Sequence, residues 1–209
     1  MLSMCRSIAT SALRVMTVFG LLGVNVALAA DGDAERGRVL ADTCEGCHAV
    51  DTYNNVYPTY HVPRIGGQSV EYLVAALTLY RNGERSHSTM TAQASAYSDQ
   101  DIRDIAAYIS SVVPPLTSVE AKGVAPEAAA VCASCHGASG VGEIVSYPYL
   151  AGQHQDYLEQ AMAQYKSGAR KGANAMIMQA QLMTLSEEDL KAIAAYYAQH
   201  EGLQSLPID

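Results

Sequence analysis

Basic charge is scarce in this 209-residue chain: 13 Lys and Arg stand against 21 Asp and Glu, a formal net charge of −8. That sign disfavours a nucleic-acid partner, because neutralising phosphates takes an excess of Lys and Arg. Strand signals are missing as well. No segment reads as a strand, which removes the βαβ setting that a dithiol oxidoreductase places around its single C-x-x-C. Long apolar runs are confined to the start of the chain, where Val15 to Ala30 is mostly apolar. That run is shorter than the roughly 20 residues a spanning helix needs, and no later segment comes close. Cysteine is limited to five.

The apolar run reads as part of a secretory leader. Arg6 and Arg14 precede it with no acid among the first 14 residues, and Ala27, Leu28 and Ala29 offer an A-x-A cleavage site. A signal peptide over 1–29 is therefore expected, with a soluble mature chain starting near Ala30 and Cys5 removed. Two of the 13 basic residues lie in that leader, leaving 11 against 21 acidic ones, so the mature chain is near −10. Such a surface either steers a basic partner or is ordinary solubilising charge.

The remaining four cysteines fall in two copies of one pentapeptide. Cys44, Glu45, Gly46, Cys47, His48 and Cys132, Ala133, Ser134, Cys135, His136 both read C-x-x-C-H, the attachment signature of c-type haem. Two thiols three positions apart form thioethers to the two vinyl groups of one haem, and the adjacent imidazole meets the iron. A zinc ribbon would separate its pairs by about 15 to 20 residues, whereas Cys47 and Cys132 are 85 apart. Two covalent haem c groups are expected, held by Cys44, Cys47, Cys132 and Cys135 with His48 and His136 as iron ligands, and no disulfide. Haem attachment occurs outside the bacterial cytoplasm, which together with the leader places the protein in the periplasm.

The two motifs belong to a longer repeat. Cys44 and Cys132, Met90 and Met178, Ser98 and Ser186, and Tyr108 and Tyr196 are each 88 apart, while Pro63 and Pro148, and Tyr72 and Tyr157, are 85 apart. The offset drops and recovers, so each half holds one three-residue insertion: the first in the tyrosine-rich stretch Tyr53, Tyr57, Tyr60, the second between Arg170 and Met176. A period this long means duplicated domains rather than a solenoid. The expected architecture is all-α, with a first domain over 30–113 and a second over 114–209, of which 114–119 is the linker that Pro114 and Pro115 break out of helix. In each half a first helix, from Asp33 to Thr43 or from Pro126 through Val131, leads into the motif. Middle helices begin near Ser69 and Gln155 and end at Asn82 and Ser167. Last helices start at Ser98 with Asp101 and at Ser186 with Asp189, a capping-box pattern.

A sixth iron ligand is sought among Met90, Met162, Met176, Met178 and Met183. Met162 lies on the apolar face of a middle helix and reads as core filler. Met90 and Met178 each stand in the loop between middle and last helix, eight residues before the capping serine, and the repeat selects them over Met176, the competitor. His61, His87, His154 and His200 read as surface or loop residues, with His87 the one nearest a ligand. Arg85 and Arg170 follow the Gly that ends each middle helix and either pair with haem propionates or are plain solvated loop residues.

The two C-x-x-C-H motifs, the turns Pro63-Arg64-Ile65-Gly66-Gly67-Gln68 and Pro148-Tyr149-Leu150-Ala151-Gly152-Gln153, the Met176-Ile177-Met178 loop and the Ser-capped last helices together resemble the dihaem cytochrome c4 family, two tandem class I cytochrome c domains. The resemblance covers essentially the whole mature chain. It implies that Pro63 and Pro148 offer carbonyls to the rings of His48 and His136, and that the domains pack about a pseudo-twofold axis with propionates near the interface. It also implies an electron carrier, without substrate turnover of its own, between a donor and a terminal oxidase or other acceptor, soluble or peripheral at the membrane surface. The alternatives are a dihaem subunit of a periplasmic dehydrogenase of the flavocytochrome sulfide dehydrogenase type and, behind it, a dihaem enzyme. Tyr97 in place of Leu185, the tyrosine-rich insertion and a shortened helix before Cys132 depart from the family pattern.

Overall fold

Asp33 opens the first helix by accepting the backbone N–H groups of Glu35 and Arg36 on its carboxylate. In the computed structural model, which describes residues 32–208, this helix is α1, Ala34–His48. The expected leader, with Arg6, Arg14, Cys5 and the cleavage site, lies outside the described residues. α1 runs five residues beyond Thr43 and takes the whole C-x-x-C-H motif into its last turns. Positions i, i+3 and i+4 share one face only while the helix persists, and continuing it puts Cys44, Cys47 and His48 side by side.

α2 (Val70–Arg81), α3 (Ser88–Ala94) and α4 (Asp99–Val112) complete the first half. A 3-10 turn over Glu127–Ala129 leads to α5 (Ala130–His136), followed by α6 (Gln155–Lys166), α7 (Ala173–Leu182) and α8 (Glu187–Ala198). Among the described residues there is no strand beyond two isolated bridges, Asn54 with His61 and Gly66 with Gln204. α4 and α8 both begin in capping boxes in which Ser98 and Asp101, and Ser186 and Asp189, satisfy each other's backbone N–H. α5 is seven residues against the fifteen of α1, so the second half reaches its motif with half the helix.

The first core forms where α1 crosses α4. Gly37 makes the close approach: a Cβ there would stand 1.9 Å from the Asp104 carbonyl oxygen. Around this seam Ala41, Leu73, Ile105, Ala106, Tyr108, Ile109 and Leu206 form one buried cluster. Asp104 is fully buried and takes hydrogen bonds from Asp33 N (2.8 Å) and Gln100 Nε2 (2.7 Å) as well as the Arg36 guanidinium. The second core gathers Leu158, Met162, Leu182, Leu190, Ile193, Ala194, Tyr196 and Tyr197. Met162 is the core filler its position predicts.

The halves are laced together by backbone. Gly66 and Gln204 exchange both hydrogen bonds at 3.0 and 3.1 Å, and Leu206 N donates to the His48 carbonyl at 2.9 Å. The final segment therefore leaves the second half and completes the core of the first.

Candidate haem sites

His48 and His136 are buried at the C-terminal ends of α1 and α5. Each ring donates from Nδ1 to a proline carbonyl, His48 to Pro63 and His136 to Pro148, both at 2.8 Å. The contact fixes the tautomer and leaves Nε2 as a lone-pair donor. Burial lowers the pKa of both rings, which keeps them neutral, the form a metal requires. Cys44, Cys47, Cys132 and Cys135 are half-buried and unpaired with one another. Burial pushes the Cys44 thiol up to about 11 and raises that of Cys132. Among the described residues no three His, Cys, Asp or Glu side chains converge as a metal shell, so neither cysteine pair is completed as a zinc site. Two thiols, one oriented imidazole and an apolar wall per half fit a thioether-linked haem.

Met90 and Met178 lie on helices rather than in the expected loops. α3 forms because the His87 ring caps it, Nδ1 accepting the N–H of Met90 at 3.3 Å. The other ring nitrogen donates to Asn55 Oδ1 at 2.8 Å, so both nitrogens of His87 are engaged and the ring is a clamp on the methionine helix. Asn55 belongs to the tyrosine-rich insertion, which gives that departure a local purpose. α7 instead starts at Gly172, whose φ of 96° suits glycine. Met178 packs against the second core, while Met176 is 66% exposed on the same helix. Tyr97, which replaces Leu185, reaches from the start of α4 to donate to the Leu40 carbonyl of α1 at 3.1 Å.

Between the halves stand two pairs of buried residues, Gln68 with Gln153 and Arg85 with Arg170. Gln68 Nε2 donates to the Tyr149 carbonyl at 3.1 Å and its Oε1 accepts Tyr149 N at 2.9 Å. Gln153 does the same to Arg64, at 2.8 and 2.9 Å. Both glutamines are buried, and each clasps the backbone of the opposite proline turn. The second pair is Arg85 and Arg170, which are 5% and 7% exposed and so are not solvated loop residues. Their guanidiniums lie 4.5 Å over the Tyr80 ring and 4.7 Å over the Tyr165 ring. Neither forms an ion pair with a carboxylate among the described residues, and Arg85 Nε is buried without a partner. Buried cations of this kind fit the carboxylates of haem propionates.

His61 and His154 stack across the halves with ring centroids 4.5 Å apart, His61 held by Asp156 at 2.8 Å. His200 is buried against Tyr196, a ring contact of 4.7 Å. Among the described residues, the hydrogen-bond and ring contacts of these three run to other partners than the cysteine motifs.

The cytochrome c family profile matches residues 34–112 and again 121–201. Cytochrome c4 of Pseudomonas aeruginosa is 31% identical over 188 residues, 84% of this chain and 92% of that protein. The chain belongs to the cytochrome c4 family. The thiosulfate dehydrogenase electron acceptor of Stutzerimonas stutzeri is 27% identical over 76% of this chain and 79% of its own length. Reduced recombinant cytochrome c4 from Pseudomonas stutzeri superposes with a TM-score of 0.61 at 29% identity, covering 83% of this chain and all of that one. The protein is thus a dihaem c-type cytochrome of electron transfer in two tandem helical domains. Its two haem c groups are attached through Cys44 and Cys47 and through Cys132 and Cys135.

Proposed function

We propose that this chain carries single electrons in the periplasm, and that His48 and Met90 would hold one haem iron and His136 and Met178 the other. The carrying observation is the matched geometry of the halves. In each, a proline carbonyl holds the histidine Nδ1 at 2.8 Å, and a methionine on a short helix precedes a Ser–Asp capping box by eight residues. Each haem supplies a one-electron iron centre. The chain supplies a neutral imidazole in a fixed orientation, a soft thioether that favours the ferrous state, and apolar walls that keep water from the iron.

Held by both a His and a Met, each iron would have no position left for a substrate, which supports a carrier without turnover of its own. Its partners would be an electron donor and a terminal oxidase or other acceptor. That a relative is a thiosulfate dehydrogenase electron acceptor supports a soluble dehydrogenase as one class of donor, ahead of a permanent subunit in a flavocytochrome. Among the described residues no helix is long and apolar enough to cross a membrane. The proposed leader is 1–29 and the proposed domains are 30–113 and 114–209, divided at the prolines after α4.

Ligand variants test the reading. Met90→Ala and Met178→Ala should each halve the near-infrared sulfur-to-iron charge-transfer band, while Met176→Ala leaves it nearly unchanged. Loss of half the band in Met176→Ala, with Met178→Ala intact, would put the wrong methionine on the second iron. Rapid turnover of peroxide or thiosulfate by the purified protein would replace the carrier with an enzyme.

A further inference from the structure

Two guanidiniums, one from each half, converge on a single phenol. Arg85 donates to the hydroxyl of Tyr72 at 3.3 Å and to that of Tyr157. Arg170 donates to the same Tyr157 hydroxyl at 3.5 Å and, through Nε, to Gln164 Oε1 at 2.9 Å. The repeat pairs Arg85 with Arg170 and Tyr72 with Tyr157, yet the arrangement is not symmetric: Tyr72 hydrogen-bonds Arg85 and feels Arg170 only through space, whereas Tyr157 hydrogen-bonds both. Tyr60, from the insertion of the first half, adds its ring 6.3 Å from that of Tyr157. Like charges buried together without acids are unfavourable unless anions complete the cluster, and the orphaned Nε of Arg85 marks a donor still to be used.

We propose that Tyr157 is a positioning residue shared by both redox centres, its one hydroxyl orienting Arg85 and Arg170 toward carboxylates of the two haems. The proposal rests on the two-haem assignment. An electron-rich oxygen between two cations offsets part of their charge, and in a low-dielectric interior that offset is felt at long range. Burial raises the Tyr157 phenol, but the two guanidiniums outweigh it and hold it down at about 8, in keeping with a hydroxyl that faces concentrated positive charge. Through one atom, a change in charge at either iron reaches the arginine serving the other.

The experiment is a redox titration of the two-haem protein carrying Tyr157→Phe, with Tyr72→Phe as the control that the duplication provides. Removing the Tyr157 oxygen leaves both cations less offset, so adding an electron becomes easier at both irons. Both one-electron midpoints should rise, each by roughly threefold or more in the ferrous-to-ferric ratio at a fixed potential. Tyr72→Phe, which removes a hydrogen bond from Arg85 and only a weaker through-space effect on Arg170, should move one midpoint distinctly more than the other. Haem content of two per chain and an intact charge-transfer band, checked first, separate failure of this proposal from failure of the haem assignment. Wild-type midpoints independent of added acetate identify the carboxylates as the haems' own, and acetate dependence would overturn that source. If Tyr157→Phe does not mature, Arg170→Lys asks the same question, since losing the planar fork on one side should move both midpoints. A single shifted step, no shift, or equal effects of Tyr72→Phe and Tyr157→Phe would overturn the shared role.

Discussion

Gly37→Ala adds one methyl group at the tightest point of the first half. The new Cβ would lie 1.9 Å from the Asp104 carbonyl oxygen and 2.9 Å from Tyr108 Cβ, whereas real Cβ contacts essentially never fall under 3.0 Å. The oxygen must withdraw by at least the 1.1 Å difference, and since it belongs to the backbone of α4, the helices part. A gap near 1 Å forfeits a quarter to a half of each contact it opens, so a seam worth the contacts of one large buried side chain loses about 3 kcal/mol. Alanine returns about 1 kcal/mol through its better helix propensity. The expected net loss is about 2 kcal/mol, the ordinary range for overpacking. Gly46→Ala is the control in the same helix, because nothing stands within 4 Å of its Cβ and the second half carries Ser134 at that place. It should be neutral or stabilising by up to about 1 kcal/mol. Urea unfolding of the haem-loaded protein followed by far-ultraviolet circular dichroism reads both. A Gly37→Ala midpoint at or above wild type would refute the close-crossing argument, and so would an equal loss in Gly46→Ala.

Gln68→Ala should cost about 2–4 kcal/mol by leaving the backbone N–H and carbonyl of buried Tyr149 unpaired, and Gln153→Ala should act likewise at Arg64. Unfolding traces that split into two transitions would show the clasp holding the halves in one cooperative unit, and an unchanged midpoint would remove its role. The pH dependence follows from His154 and His200, whose pKa values are lowered chiefly by burial and whose rings carry buried nitrogens without a hydrogen-bond partner, His154 Nε2 standing 3.6 Å from Asp51. Asp51, Asp156, Arg64 and His61 surround the first, and Lys122 acts on the second. With native values below the ordinary 6.5, the unfolded chain takes up protons first, so the contribution is complete above pH 6.5 and is lost as pH falls below it. A His154→Gln/His200→Gln variant should therefore lose less stability between pH 6.5 and 5 than wild type, and equal slopes in urea titrations at the two pH values would argue against it.

Local signals in the chain suffice where the chemistry is local. Ser98 with Asp101 and Ser186 with Asp189 cap their helices through their own backbone, and Asn82 and Ser167 close α2 and α6 where a following glycine takes positive φ. The duplication carries the register of the two halves, and the proline contacts on His48 and His136 are those the family resemblance implies. What escaped were features that exist only across distance. α3 reads as a loop in the sequence because its cap is a histidine whose second nitrogen is held by Asn55, more than 30 residues upstream. Arg85 and Arg170 follow glycines and read equally as exposed, since their burial depends on aromatic rings from both halves. Gln68 and Gln153 were visible only as parts of a turn, because their partners lie 81 and 89 residues away.

The return of residues 204–206 to the first half sets an order of events for the growing chain. Leu206 lies in the same buried cluster as Ala41 and Ile105, and its N–H meets the carbonyl of His48. Domains commonly fold as they are synthesised, the N-terminal one first, but here the earlier half lacks a wall until residues 204–206 have been made. The first half thus closes around Cys44 and His48 only after the second half has been made.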